Sequence, residues 1–301
     1  MEYILTTDKL TKTYGNYKAA NELSIHIKKG DVYGLIGRNG AGKTTFLKMI
    51  CGLSHPTSGS FTFLGLTGKE LKKHMNKIGS LIESPGLYPK LTAYQNLKLK
   101  CLSVGKGDKK YIDEMLELVG LTKAKNKLAG SFSLGMKQRL GIALALIGDP
   151  EFLILDEPIN GLDPQGIAEM RNIIHKLSKE RGITIIVSSH ILDELVKVAD
   201  AFGIIHEGKL LDEFTTSELS DRCSQYSVLR TSDNERAIEI LMKAGINQTQ
   251  IINNEIKIKQ EIPDTSVIVS SLVKENIGVY EITSKQITLE QYYLSRTGRG
   301  V

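Results

Sequence analysis

The segment Gly37–Thr45, "GRNGAGKTT", has the residue types and spacing of a loop that wraps around phosphate groups. It matches the pattern G-x-x-x-x-G-K-[ST], whose glycines let the backbone pass close to an anion. A helix starting after such a loop adds free N–H groups and a partial positive charge. We expect Lys43 to reach the β- and γ-phosphates and the Thr44 hydroxyl to coordinate Mg²⁺. The predicted nucleotide-binding residues are Gly37, Arg38, Asn39, Gly40, Ala41, Gly42, Lys43, Thr44 and Thr45.

Two adjacent carboxylates end an apolar run at residues 152–158, "FLILDEP". Asp156, at the end of a buried strand, suits a contact to Mg²⁺, and Glu157 can polarise a water molecule that attacks phosphate. Acidic residues also follow strands at ordinary turns, so this pair alone leaves a structural interpretation open. Beside the phosphate loop, we favour nucleotide hydrolysis with Asp156 as a metal ligand and Glu157 and Lys43 as catalytic residues.

The sequence disfavours a guanine-specific hydrolase. Such an enzyme is expected to carry an Asn-Lys-x-Asp motif, and the Asn-Lys pairs at positions 76 and 126 lack the aspartate.

Apolar, β-branched runs alternate with helical patterns, which predicts an α/β fold whose sheet positions these residues. The stretch 92–148 contains no clear strand and predicts a helical subdomain inserted between two strands. The candidate strands are Val32–Ile36, Phe61–Leu64, Ile78–Ile82, Phe152–Leu155, Ile183–Ser188 and Phe202–His206.

Composition limits the class of protein. A chain of 301 residues can hold one large and one smaller domain. No apolar run approaches the roughly 20 residues that span a bilayer, and the start, "MEYILTTDKL", does not resemble a secretory signal. We therefore expect a cytoplasmic protein. The net charge of +5 fits the inner face of a membrane and equally an ordinary basic protein.

After "HEGKLL" the pattern changes to a shorter alternation of strands and helices, ending at "VYEIT" and a last helix, "LEQYYLSRTG". This tail predicts a βαβαβ-like accessory domain that carries no catalytic cluster. The predicted domains are residues 1–216, with a helical subdomain at about 86–150, and residues 224–301.

Further motifs follow in a fixed order along the chain. "SFSLGMKQR" at 131–139, "NGLDP" at 160–164 and His190 after "TIIVSS" accompany the phosphate loop and "FLILDEP". Over roughly residues 1–215 this order closely resembles that of ATP-binding cassette (ABC) transporter ATPases. The resemblance implies a phosphate-loop ATPase with a RecA-like core sheet, an N-terminal antiparallel β part, an inserted helical subdomain and a small α+β C-terminal domain. It also implies ATP and Mg²⁺ as cofactors.

In that family two nucleotide domains dimerise head to tail, and a signature segment of one copy caps the γ-phosphate bound by the other. By resemblance the signature residues are Ser133, Leu134, Gly135, Met136 and Lys137. Asp163 resembles the residue that links the two sites across the dimer. A capped helix start is the alternative for either segment, because serine and an Asp-Pro pair are both common there.

Three further roles follow from the resemblance. Tyr14 occupies the place of an aromatic residue that stacks on adenine, and His190 that of a histidine that contacts the γ-phosphate. Glu83 stands where most relatives have a metal-contacting glutamine, which makes it a predicted metal ligand with Thr44 and Asp156. The segment around Glu83 resembles that of bacitracin and lantibiotic resistance exporters, where glutamate is usual.

The resemblance thus implies an ATP-hydrolysing subunit of a multi-component exporter of antimicrobial peptides. Its implied partners are a second copy of the domain and integral membrane permease subunits, with no nucleic acid, on the inner face of the cell membrane. A soluble cassette ATPase outside transport and an exporter of another substrate class stay open. The intact Lys43, Asp156, Glu157 and His190 argue against a regulatory module without turnover.

Overall fold

The computed structural model describes residues 2–223, 225–259 and 264–298. Contacts between Cα atoms divide the chain into two units, Met1–Thr216 and Ser217–Val301. Residue 224, where the sequence predicts the start of the second domain, lies outside the described residues, as do residues 1 and 299–301.

The first unit alternates strands and helices. Within the described residues its strands are β1 (Tyr3–Tyr14), β2 (Tyr17–Leu23), β3 (His26–Lys28), β4 (Val32–Ile36), β5 (Ser58–Phe63), β6 (Ile78–Leu81), β7 (Phe152–Asp156), β8 (Thr184–Ser189), β9 (Ala201–His206) and β10 (Lys209–Thr215). Its helices are α1 (Lys43–Ile50), α2 (Gly68–Lys73), α3 (Ala93–Val104), α4 (Lys109–Leu118), α5 (Leu134–Leu146), α6 (Pro164–His175) and α7 (Leu192–Val196).

The central sheet of this unit has the order β10-β9-β4-β8-β7-β6. All neighbours pair in parallel except β9 and β10. Every residue of β4, β7 and β8 is buried, as expected for parallel strands covered on both faces. Because β4, β8 and β7 are adjacent and parallel, their carboxyl ends meet at one sheet edge, where α/β proteins bind ligands.

A second, antiparallel sheet has the order β2-β1-β3, and β5 also pairs with β1. The two sheets share one core that also includes α1 residues such as Phe46. The rings of Phe63 in β5 and Phe152 in β7 lie with their centroids 6.1 Å apart. The antiparallel part implied by the family resemblance is therefore present, and it packs against the sheet that carries the phosphate loop.

Helices α3, α4 and α5 occupy most of the stretch that the sequence assigns to a helical subdomain. Asp149 follows α5 and links the end of this helix to the other two. Its carboxylate accepts hydrogen bonds from Lys106 and, at 2.9 Å, from the Tyr111 hydroxyl. Burial of the Tyr111 side chain is the main cause that raises its pKa to about 12, and the hydrogen bond to Asp149 is the second. Burial alone would raise the pKa of Asp149, but the bonds from Lys106 and Tyr111 outweigh it and lower that pKa.

Replacing Asp149 by asparagine should reduce stability at pH 7 by less than about 1 kcal/mol, because the carboxylate is largely exposed. The folded-state pKa of Asp149 is lowered, so its contribution is present above the unfolded value of about 3.9. That contribution is lost as the pH falls through the folded pKa. Urea unfolding of both proteins between neutral and acid pH should therefore show a difference that persists down to about pH 4 and shrinks as the pH falls further. A difference independent of pH would contradict this assignment.

The second unit forms a four-stranded antiparallel sheet with the order β12-β13-β11-β14. Its core joins this sheet to α9 and α10, with Leu229, Ala237, Ile256 and Leu272 among the buried side chains. The described elements from its start are α8 (Thr216–Arg222), which begins at the last residue of the first unit, β11 (Gln225–Thr231), α9 (Asn234–Lys243), β12 (Thr249–Ile252), β13 (Glu255–Ile258), α10 (Thr265–Lys274), β14 (Val279–Gln286) and α11 (Leu289–Arg296).

The βαβαβ prediction for this tail is wrong by one strand, since the elements from β11 to β14 follow the order βαββαβ. The missing strand, β12, is a four-residue edge strand whose residues are all partly or fully exposed, so it lacks an apolar periodicity. Across the described part of the chain, none of the helices has the length and apolarity that crossing a bilayer requires.

Candidate active site

The predicted phosphate loop connects the end of β4 to the start of α1. Gly42, just before α1, has φ +105°, and a Cβ atom there would lie 2.3 Å from the carbonyl oxygen of Ala19. This position therefore requires glycine for both its conformation and its close approach to Ala19. The loop borders a cavity of about 390 Å³ lined by Tyr17, Ala19, Arg38, Asn39, Gly40, Gly42, Lys43, Thr44, Thr45 and Glu157.

The Lys43 side chain is held inside the loop and is only 5% exposed. Its ammonium group donates a hydrogen bond to the carbonyl oxygen of Gly37 at 2.6 Å. It also lies 3.0 Å from Glu157 Oε1. The two groups form an ion pair, but their geometry is not that of a hydrogen bond. The structure thus brings the predicted phosphate-binding cation next to the predicted general base.

Asp156 is 4% exposed, and each of its carboxylate oxygens accepts a hydrogen bond. Thr44 Oγ1 donates to Oδ2 at 2.8 Å, and Ser188 Oγ donates to Oδ1 at 2.6 Å. The Ser188 hydroxyl also accepts from the backbone N–H of Glu157 at 2.9 Å. Ser188 therefore fixes both acidic residues. This role of Ser188 was not predicted from the sequence. Two serines at the end of an apolar strand, directly before His190, were the available signal.

The Glu157 side chain is held between two partners. Its Oε2 lies 2.8 Å from Nδ1 of His190, which follows β8, while Oε1 faces Lys43. The backbone of Glu157 has φ +49°, a left-handed conformation that non-glycine residues rarely adopt and that recurs at active sites. A carboxylate fixed in this way is suited to orient and deprotonate a water molecule in front of a phosphate group.

Glu83 lies two residues beyond β6, the neighbour of β7 in the sheet. Its Oε1 accepts a hydrogen bond from Lys48 of α1 at 2.5 Å, and its backbone has φ +62°. Among the described contacts, the Glu83 carboxylate forms an ion pair with Lys48, and no contact joins it to Thr44 or Asp156. The metal-binding role of Glu83 therefore stays a prediction.

The signature segment begins helix α5, where Ser133 is the N-cap and accepts from the Met136 N–H at 3.3 Å. Asp163 caps α6 in the same way, accepting from the Gly166 N–H at 2.9 Å. The two segments are neighbours, since a Cβ atom at Gly161 would lie 3.1 Å from the Leu134 side chain. Within the described residues, the cavity at the phosphate loop has no lining residue from 133–137. The roles of both segments across a dimer stay predictions.

Tyr14 ends β1 and is 52% exposed. The Lys12 ammonium group lies 5.1 Å from the centroid of its ring. Tyr17, at the start of β2, lines the phosphate-loop cavity instead. Tyr17 carries no motif of its own and was not predicted from the sequence. The adenine-stacking role of Tyr14 stays a prediction.

Known proteins resemble this chain in sequence. Residues 20–160 match the family model described as "ABC transporter". The chain is 45% identical to the bacitracin transport ATP-binding protein BcrA of Bacillus licheniformis over 100% of this chain and 99% of that protein. It is 47% identical to the lantibiotic transport ATP-binding protein SrtF of Streptococcus pyogenes over 70% of this chain and 90% of that protein.

A solved structure also resembles the chain. It is the dimeric, post-hydrolysis state of an ATP-binding cassette bound to ADP and Pi, with a TM-score of 0.64 and 27% sequence identity over 70% of this chain and 98% of that one. These similarities bear out the predicted ATP-binding cassette architecture.

Proposed function

Because the chain belongs to the ABC transporter family as an ATP-hydrolysing subunit, we propose that it powers the export of peptide antibiotics. The observation that carries this proposal is the 45% identity to a bacitracin transport ATP-binding protein over the whole chain. The fixed arrangement of Lys43, Asp156, Glu157 and His190 supports active turnover of ATP rather than nucleotide binding alone.

In the proposed mechanism the phosphate loop binds the triphosphate through its N–H groups, and the Lys43 ammonium moves from its carbonyl contacts to the β- and γ-phosphates. Glu157 then orients water in line with the γ-phosphate and accepts its proton. His190, which already contacts Glu157, would keep this carboxylate in place and stabilise developing charge. Tyr14 would stack on adenine.

The residues of this site fit Mg²⁺. Thr44 and Asp156 present oxygen ligands within 2.8 Å of each other, and Mg²⁺ in nucleotide enzymes is usually held by one or two carboxylates together with phosphates and water. Within the described residues no group of three or more His, Cys, Asp or Glu side chains could hold a metal by itself, which is consistent with a metal that arrives with ATP. When bound, Mg²⁺ would offset negative charge on the β- and γ-phosphates.

The proposed assembly contains two copies of the chain. Ser133 and the N–H groups at the start of α5 would contact the γ-phosphate held by the other copy, which uses the same helix-terminus chemistry as the phosphate loop. Asp163, at the start of α6 and beside this segment, would connect the two sites. The dimeric cassette structure described above supports this arrangement by similarity.

The other proposed partners are integral membrane subunits, which would hold the protein at the inner face of the membrane. A cavity of about 940 Å³ lies on the first unit, and its lining includes Ser84, Pro85 and Tyr88, within five residues after Glu83. This is the surface, around residues 83–96, on which we expect a permease to dock. The exposed Tyr88 and Leu99 side chains at this cavity supply apolar contact area.

Deleting the gene from its host should make the cells more susceptible to bacitracin or to a lantibiotic, with the minimum inhibitory concentration falling several-fold. An unrelated, non-peptide antibiotic supplies the control. Complementation with the wild-type gene should restore resistance, and complementation with Glu157→Gln should not, because export requires hydrolysis. Unchanged susceptibility to the peptides would contradict the proposed substrate class and favour another exporter substrate or a role outside transport.

A further inference from the structure

The ion pair between Lys48 and Glu83 has no place in the mechanism above. Lys48 lies four residues after Thr44 in α1, so the two side chains share one face of the helix, one turn apart. Lys48 Nζ donates to Glu83 Oε1 at 2.5 Å, while the Thr44 hydroxyl donates to Asp156 at 2.8 Å. The Glu83 carboxylate is thus paired with a residue that follows the proposed metal ligand Thr44 by one helical turn.

Lys48 and Glu83 form an ion pair, with 32% of the Lys48 side chain and 64% of the Glu83 side chain exposed. A glutamine at position 83 would carry no charge, so the glutamate adds one negative charge to a region that already contains Asp156 and Glu157. ATP brings the further negative charge of its triphosphate. The Lys48 cation of α1 offsets this repulsion.

The backbone of Glu83 supports the same interpretation. Its φ of +62° is disfavoured for a residue with a side chain, and such conformations persist only where surrounding contacts hold them. The bond to Lys48 is the contact that fixes the direction of this side chain.

We propose that Lys48 is a positioning residue for Glu83, holding its carboxylate against α1 and neutralising its charge so that the triphosphate of ATP binds near three acidic residues. The inference rests on the ATP site of the proposed function. Lys48 does not itself contact the reacting atoms. Its role depends entirely on the charge of Glu83.

A double-mutant cycle tests this dependence with wild type, Lys48→Met, Glu83→Gln and the double variant. Methionine keeps an unbranched side chain and a high helix propensity in α1 without the charge. Metal-free ATP binding is measured in EDTA, and Mn²⁺ binding to the protein saturated with a non-hydrolysable ATP analogue is measured by electron paramagnetic resonance. Lys48→Met should weaken metal-free ATP binding and tighten Mn²⁺ binding, each by about fivefold, the size of one close charge interaction in water.

The double variant, in which neither charge is present, should bind both ligands within about twofold of wild type, and Lys48→Arg should keep both affinities near the wild-type values. Weakening of both affinities in Lys48→Met would indicate a structural defect and overturn the proposal. A double variant that keeps the affinities of Lys48→Met would overturn it as well, because the uncompensated charge of Glu83 would then not be their cause. Absence of ATP binding by the wild type would instead contradict the proposed function itself.

Discussion

Replacing Glu157 by glutamine is expected to lower the rate of ATP hydrolysis by roughly 10²–10⁴-fold, the usual contribution of a positioned general base. The amide has nearly the same shape but cannot accept the proton of the attacking water. ATP binding should persist, because the phosphate loop is unchanged and Lys43 loses an ion-pair partner that competes for its charge. Since hydrolysis reopens the proposed dimer, the variant should accumulate as a closed dimer with ATP.

Phosphate release measures turnover, a fluorescent ATP analogue measures affinity, and size-exclusion chromatography with ATP measures dimerisation. Glu151→Gln is the matched control, because Glu151 precedes the same strand, β7, but pairs with Lys29 and Lys77 outside the site. The control should keep wild-type turnover. Unchanged turnover in Glu157→Gln would contradict the general-base assignment.

Replacing Ser133 by aspartate should reduce ATP hydrolysis by at least about tenfold. The cause would be repulsion between the new carboxylate and the γ-phosphate bound by the other copy, and a tenfold change corresponds to about 1.4 kcal/mol. Aspartate is as good an N-cap as serine, so helix α5 keeps the cap that Ser133 now supplies. The substitution therefore separates the two interpretations of this segment. If Ser133 were only a helix cap, Ser133→Asp would keep both stability and activity.

The measurement is ATPase activity against protein concentration, with thermal unfolding as a check on the fold. Wild-type specific activity should rise with concentration, because each site is completed by a second copy, whereas Ser133→Asp should stay low throughout. Ser131→Ala is the control, since within the described residues the Ser131 hydroxyl donates to the local Leu128 carbonyl. Activity independent of concentration together with an active Ser133→Asp would contradict the shared site.

The central strands were predictable because burial on both faces leaves a continuous apolar run in the sequence. Val32–Ile36 has the predicted bounds, and the runs at 78–82 and 152–155 differ from β6 and β7 by one residue. In the antiparallel part, the predicted strand at 61–64 overlaps β5 (Ser58–Phe63), whereas β1, β2 and β3 were not marked by their residue pattern. β1 is interrupted by irregularities in its pairing with β2 that break a strict alternation, so only the family resemblance implied this sheet.

The site was predictable where one short segment carries the chemistry, as in the phosphate loop and the Asp156–Glu157 pair. Contacts between segments that lie far apart in the chain were not predictable from the sequence. Ser188 reaches Asp156 across 32 positions of the chain, and Lys48 reaches Glu83 across 35. Neither serine nor lysine forms a motif at these places, and only strand order and helix position bring them to their partners.

The pairing of Lys48 with Glu83 constrains the order in which these two positions can change during divergence. A chain with a neutral amide at position 83 is expected to accept a neutral residue at position 48, whereas a chain with a carboxylate there is expected to retain a cation. An ancestor that acquired the glutamate before the lysine would have passed through a form with weakened nucleotide binding. The lysine is therefore expected to be the older substitution, and the two positions should covary among relatives.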